Sequence, residues 1–542
     1  MSVEDTMKMM QLWEERKQAA DAILSSGSES SPIVRLPDDL LGEIFLYIYT
    51  PEDTNGYTGR SDWKWLVITH VCRWWRCLAL QLAALWKDIR TSNLDCLKAY
   101  LERSQTSSIK VNILTPRLRL IRWDAEFVRL LLPHSDRIVS LSVTLNGCNT
   151  NAILHMFSHH SFNNINQLSI STSTLPTTIT LAPFKVNGCL TSLTLDRIIV
   201  LWDTTYVYDN LRELKLINQD HVGTEEYLTM DVFLDMLQRC HYLEQLVINN
   251  SGPKRGSSSE RKIQLHCLRS LKLDATNQED ICNLLTHLDI PIQTAIEIYS
   301  SYNNEHDTLA GLNALIPVDT SGLPHVQEAN ILEMFVDVIQ FVIHVRSWNN
   351  VSGSIYITVE WIDDDDPEDF PDIELSYFRS IHRIFSGSPV THISITSSLE
   401  GTTYRHWMDT LSSFPMLTNL ELYEMGNSET PGHWSKDIFL VLGSRRTNHT
   451  GFNNASRSLS ASSQLPDIIC PQLEHLRLTY PLFNTDVLEV MENSFRKRVE
   501  RGGPRFDTID FRCHSWVGPP TKFPGWPDFK PFAENFHYLN TP

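Results

Sequence analysis

The stretch NLRELKLIN, residues 210–218, sets Leu211, Leu214 and Leu216 in the pattern apolar-x-x-Leu-x-apolar. Alternation over its second half puts Leu214 and Leu216 on one face of a short strand and polar neighbours on the other. The pattern recurs upstream as Ile138-Leu141-Val143, Ile165-Leu168-Ile170 and Leu190-Leu193-Leu195, and downstream as Leu243-Leu246-Ile248 and Leu268-Leu271-Leu273. It returns as Val390-Ile393-Ile395, Leu417-Leu420-Leu422, Leu473-Leu476-Leu478 and Phe506-Ile509-Phe511. Weaker copies stand at Ser108-Val111-Ile113, Gln293-Ile296-Ile298 and Ser354-Ile357-Val359. In the first run the central residues step by 21 to 32 positions. A strand and a helix every ~25 residues cannot bury an apolar face alone, whereas stacked copies share one continuous core.

The predicted architecture is therefore α/β: an irregular solenoid over residues 96–542, with a curved parallel sheet and helices outside. The uneven period leaves open a set of unrelated strands in an ordinary α/β sheet. MDVFLDMLQRC (230–240) and ILEMFVDVIQFVIHV (331–345) read as amphipathic stretches between strands. Two insertions interrupt the array. Residues 363–374 hold eight carboxylates in twelve positions and lack the spaced ligands and sharp glycine turn of a calcium site, so they read as a solvated acidic loop. Residues 443–465 are polar and low in complexity and read as a mobile loop, either a target for phosphorylation or only a tolerated insertion.

Composition narrows the function. The 542 residues carry 46 basic and 65 acidic side chains, a net charge of −19, which suits neither nucleic acid nor an anionic membrane. A hydrophobic fraction of 42% supplies a core, and no apolar run approaches the ~18 residues that span a bilayer. The first residues lack the apolar centre of a signal peptide. Ten scattered cysteines, with no CxxC pair, read as reduced thiols packed as small hydrophobes. The cytoplasm or nucleus is the expected compartment. No nucleophile elbow, phosphate loop, HExxH or dinucleotide fingerprint occurs. His155 and His159, with His160 beside them, are one helical turn apart but have no third ligand nearby in sequence. No catalytic residue, metal or cofactor is expected.

The N-terminal part has a different grammar. Residues 1–31 read as a helix followed by the Ser-rich linker SSGSESS. From 32 to 90 the chain is dense in Leu and Trp. In LPDDLLGEIFLYIY, Pro37 suits a first helical turn, Asp38 and Asp39 complement the helix N-terminus, and Leu40, Leu41, Ile44, Phe45 and Ile48 share an apolar face. After a polar loop, Val67, Val71, Cys72, Trp75, Leu78 and Ala79 recur at helical spacing. Five tryptophans, Trp63, Trp65, Trp74, Trp75 and Trp86, exceed what so small a helical unit buries by itself, so either a docking face or packing against the repeats is expected.

Leu36-Pro37, Leu40, Leu41, Ile44 and Phe45, then Val71-Cys72-Arg73-Trp74-Trp75-Arg76, Leu78-Ala79 and Leu85-Trp86, resemble the F-box, in particular its fungal subtype. The following LKAYLERSQTSSIKVNI (97–113) looks like the bridge leading such proteins into leucine-rich-repeat-like arrays. The resemblance implies a substrate-recognition subunit of a cullin-type ubiquitin ligase, docked on a Skp-family adaptor and through it on a cullin. Leu36, Pro37, Leu40, Leu41, Ile44, Val71 and Cys72 would then meet the adaptor, and Trp75 would lock the helices and border that face. An unidentified protein target would sit on the repeat array. The loop between Tyr49 and Trp65 departs from a compact F-box by about a dozen extra residues, an insertion that costs little closure entropy. The alternative is a ligase-independent repeat scaffold in which residues 32–90 cap the solenoid.

Overall fold

The computed structural model describes residue 33 and residues 36–48, 63–91, 93–114, 123–145, 162–172, 189–198, 209–218, 229–253, 261–275, 277–302, 311–336, 340–347, 353–361, 370–397, 402–424, 436–445, 468–480, 485–514 and 528–541. The N-terminal helix and linker, the loop after Ile48, the histidines at 155, 159 and 160, and residues 446–465 of the second insertion lie outside the described residues. The chain divides into two compact units, Met1–Asn149 with Phe162–Ile165, and Thr150–Ser161 with Asn166–Pro542.

In the first unit α1 (Asp38–Ile48), α2 (Ile68–Val71) and α3 (Arg73–Gln81) lead into β1 (Asp88–Arg90), α4 (Leu94–Arg103), β2 (Ile109–Leu114), α5 (Trp123–Leu131) and β3 (Ile138–Leu145). The strands β1, β2 and β3 pair in parallel, and Ile89, Val111, Ile113, Leu141 and Val143 are buried. The start of α4 is fixed by Asn93, whose side chain accepts from the Asp95 and Cys96 amides, two of the donors a helix N-terminus leaves unpaired. The helical block therefore runs without interruption into the first strands of its own unit.

In the second unit the chain passes through β4 (Gln167–Thr172), β5 (Ser192–Asp196), β6 (Glu213–Ile217), α6 (Met230–Arg239), β7 (Gln245–Asn249), β8 (Ile263–Gln264), β9 (Ser270–Ala275), α7 (Gln278–Thr286), β10 (Leu288–Asp289) and β11 (Ala295–Tyr302). Strands β4, β5, β6, β7, β9 and β11 pair in that order, all parallel, while β8 and β10 form a separate two-stranded pair. Burial alternates along each strand as the motif requires: Leu214 and Leu216 are inaccessible, whereas Glu213, Lys215 and Ile217 are half-exposed. Entry into β6, β7 and β9 repeats one device. A single carbonyl accepts two successive amides of the next copy, Thr191 from Arg212 and Glu213, Arg212 from Glu244 and Gln245, and Glu244 from Arg269 and Ser270. Helix α6 buries Phe233, Leu234 and Leu237, and Thr229 caps it by accepting from the Val232 amide.

The array then breaks step. The segment read as amphipathic at 331–345 is two strands, β12 (Ile331–Val336) and β13 (Gln340–Arg346), with β14 (Ile355–Trp361) completing an antiparallel meander. That reading is corrected by a period of two inside each half: Leu332, Met334 and Val336, then Phe341, Ile343 and Val345, all point to the buried side. The outer strands of the meander rejoin the parallel sheet, β14 beside β11 and β12 beside β15 (His392–Ser397). Preceding β12 is the short α8 (Pro324–Gln327), and α9 (Phe370–Phe385) carries the chain from β14 to β15. Of the acidic run, residues 363–369 lie outside the described residues, and its last residues, 370–374, open α9 and so are not loop.

Parallel order resumes through α10 (Tyr404–Ser412), β16 (Asn419–Glu424), α11 (Lys436–Leu442), β17 (His475–Tyr480), α12 (Thr485–Glu500), β18 (Phe506–His514) and β19 (Ala533–Thr541). The shared-carbonyl entry returns at Asn330, Thr391, Thr418 and Glu474. The second unit is a solenoid-like α/β array whose long, mostly parallel sheet does not close. Its Leu-type face is buried and its polar face half-open.

Candidate interaction surface

Helix α1 begins where the Pro37 carbonyl accepts the Leu41 amide. Asp38 and Asp39 lie in its first turn, where the helix dipole favours negative charge. Asp38 also accepts a 3.1 Å hydrogen bond from the Trp74 indole, tying α1 to α3. Leu41 and Phe45, one turn apart, are fully buried, and the Phe45 ring meets Trp75 edge-on with centroids 5.0 Å apart. An edge-to-face pair of this kind adds about 0.5–1.5 kcal/mol beyond burial.

Helix α2 is one turn long because Cys72 adopts an extended backbone, φ −153° and ψ 173°. The break is stapled: the Cys72 thiol accepts the Trp75 amide as the N-cap of α3, and Arg76 Nε donates to the Thr69 carbonyl at 2.7 Å. Behind these helices Trp86 stacks edge-on with Trp65 at 5.1 Å and with Tyr100 of α4 at 4.9 Å, its indole donates to the Ala79 carbonyl, and the Arg103 guanidinium lies 4.4 Å over its ring. Burial pushes the Tyr100 hydroxyl up to about 12. Trp65 and Trp86 are thus core residues of the first unit.

Several large apolar side chains remain outside. Leu40 is 51% exposed, Ile44 37%, Tyr47 84%, Ile48 45%, Val67 61% and Val71 58%. With Ile33, these are seven of the twelve exposed large hydrophobic residues among the described residues, in a segment of under forty positions. Such a concentration makes this segment the candidate interaction surface. Leu40, Ile44 and Ile48 follow at intervals of four and form one stripe of α1, with Tyr47 at its edge.

The residues singled out in the sequence separate into three groups. Pro37, Leu40, Ile44, Val71 and Cys72 are exposed. Leu36 and Trp75 are half-buried, Trp75 behind Phe45. Leu41 does not reach the surface at all, a correction to its expected adaptor contact: it faces the core, about 100° around the helix from Leu40. Leu36 and Pro37 precede α1 rather than belong to it. Tyr47 and Val67 are exposed as well and are not among the residues singled out in the sequence, although Tyr47 is seven residues from Leu40 and Val67 four from Val71, spacings that put each pair on one helical side.

Among the described residues no cluster of three or more His, Cys, Asp or Glu is arranged to hold a metal ion, and no helix is long and apolar enough to cross a membrane. The family model F-box-like matches residues 33–92, which span α1 to α3 and β1. No curated protein matches the chain.

Proposed function

We propose, from the F-box-like domain at residues 33–92, that the chain is the substrate-recognition subunit of a cullin-type ubiquitin ligase in the cytoplasm or nucleus. The observation that carries the reading is the exposed stripe Leu40, Ile44 and Ile48 of α1, together with exposed Val67 and Val71 in the same domain, whose family generally docks on Skp-type adaptors. Interfaces of that type gain their affinity from a few desolvated anchors surrounded by a polar rim. Pro37 and Cys72 are exposed too, and Trp75 holds α3 against Phe45 of α1. The chain supplies no catalytic group. Its contribution is proximity, the holding of a target beside a ubiquitin-charged partner, which converts a bimolecular encounter into an intramolecular one.

Proximity labelling with the proteasome inhibited tests the reading. Targets should accumulate around the wild-type chain, and a Skp-family adaptor should be labelled by it but not by the Leu40→Asp/Ile44→Asp variant. Equal labelling of the adaptor by both would overturn it.

One observation favours a second reading, a scaffold without ligase. Trp86 is buried on Tyr100, and the helical block continues into β1, which pairs with β2 of the same unit, as a cap would. Deletion of residues 32–90 should cause aggregation under either reading, whereas adaptor binding belongs to the first alone.

A further inference from the structure

The half-open face of the second unit's sheet carries two copies of one arrangement. On β11, the Tyr299 hydroxyl donates to Glu297 at 3.4 Å, and Lys272 of neighbouring β9 lies 3.4 Å from Glu297 and 4.5 Å over the Tyr299 ring. On β16, the Tyr423 hydroxyl donates to Glu421 at 2.8 Å, and Arg477 of neighbouring β17 lies 2.7 Å from Glu421. In each, a Glu-x-Tyr pair grips a cation by carboxylate and by ring or phenol, the combination that suits Lys and Arg heads.

Between the two copies, strand register lines up further members of the face. Glu297 stands opposite Tyr356, Tyr356 opposite His344, and His344 opposite Glu333, with Val342 and Phe335 in the adjoining row. From β9 to β18 this face holds Asp274, Glu297, Glu333, Glu360, Glu421 and Asp510 against Lys272, Arg346, Arg477 and Arg512, an acidic excess around an aromatic centre. At that centre Thr358, opposite Tyr299, is 5% exposed and its hydroxyl meets no hydrogen-bond partner.

We propose that this face, centred on Tyr299, Tyr356 and Tyr423, binds an extended, Lys- or Arg-bearing segment of the target protein. Charge complementarity selects the occupant: the built-in Lys272 and Arg477 show how a cation is held, and the surplus carboxylates leave room for more. Half-buried Tyr side chains add contact area at little entropy cost. The inference rests on the proposed role of the array in presenting a target.

The test is selection of phage-displayed random 12-residue peptides on the purified full chain. Selected peptides should be rich in Lys and Arg and poor in Asp and Glu. Their binding should weaken as salt is raised and fall at least tenfold in Glu297→Gln/Glu360→Gln, but not in the control Glu102→Gln. Unfolding curves that match wild type confirm that these surface changes leave the fold intact, and Tyr356→Ala serves as a second variant. Selection of acidic or charge-neutral peptides, of none, or of peptides indifferent to the face variants overturns the proposal. The same preparations are assayed for adaptor binding, so loss of the adaptor with the peptide preference retained counts against the ligase reading alone.

Discussion

Leu40 and Leu41 are neighbours with opposite fates. One turns outward and is half-exposed, while the other is sealed into the helical block with Phe45. Truncation should separate them sharply. Leu41→Ala is expected to cost about 3 kcal/mol through lost burial and the cavity left behind, and Leu40→Ala less than about 0.5 kcal/mol, read from urea unfolding. Equal costs would mean that the outward stripe is packed. The sequence shows both leucines in one apolar pattern, because a helix that buries one side and docks with another is apolar over a wide arc. Which side faces inward was settled by Trp75 and Phe45, whose contact joins residues thirty positions apart. Spacing within one helix does not carry that information.

At the scale of elements, regularity and its interruption have separate causes. Each copy of the motif quoted from the sequence became a strand, including the weaker copies that became β2, β11 and β14, since period-two burial is local to a few residues. The β12–β13 pair was hidden because two short alternating runs placed end to end also satisfy a helical spacing. Helix α12 was equally hard to anticipate in its attachment. Arg498 is fully buried and, among the described residues, pairs with no carboxylate: its guanidinium donates to the carbonyls of Ile469 and Cys470 at 2.7 and 2.6 Å and lies 5.4 Å from the Phe506 ring. Burial pushes it down to about 10. Arg498→Leu leaves two carbonyls without their donors and should cost about 3 kcal/mol, measured by urea midpoint. Arg498→Lys should recover only part, because one ammonium does not reproduce the fork. Full recovery by Lys would show that charge alone, not bidentate geometry, holds α12 to the array.

Across the whole molecule, buried and half-buried histidines give stability a pH dependence. His325, His344, His382 and His392 are each held below the usual imidazole range chiefly by burial, with Arg346 adding to the effect at His344. Near pH 6.5 the unfolded chain takes up protons that the folded chain refuses, so stability falls as pH drops through that range. Asp319, held at about 2 by Lys262 and Ser321, acts in the same direction but only in stronger acid. Thermal unfolding should therefore occur at a lower temperature at pH 5.5 than at pH 7.5, with a smaller difference in His344→Gln/His392→Gln. An unchanged midpoint would mean that these rings are solvated. The net charge of −19 gave no hint of this, since it counts ionised groups and not those kept neutral by burial.

The aliphatic stripe on α1 ties residue, element and molecule together, and titration of purified full chain with a purified Skp-family adaptor addresses it directly. Wild type should form a one-to-one complex, and Leu40→Asp/Ile44→Asp should weaken it about 100-fold or more while the thermal midpoint stays put. No complex with the wild-type chain, or equal affinity for the double variant, would contradict docking through this face.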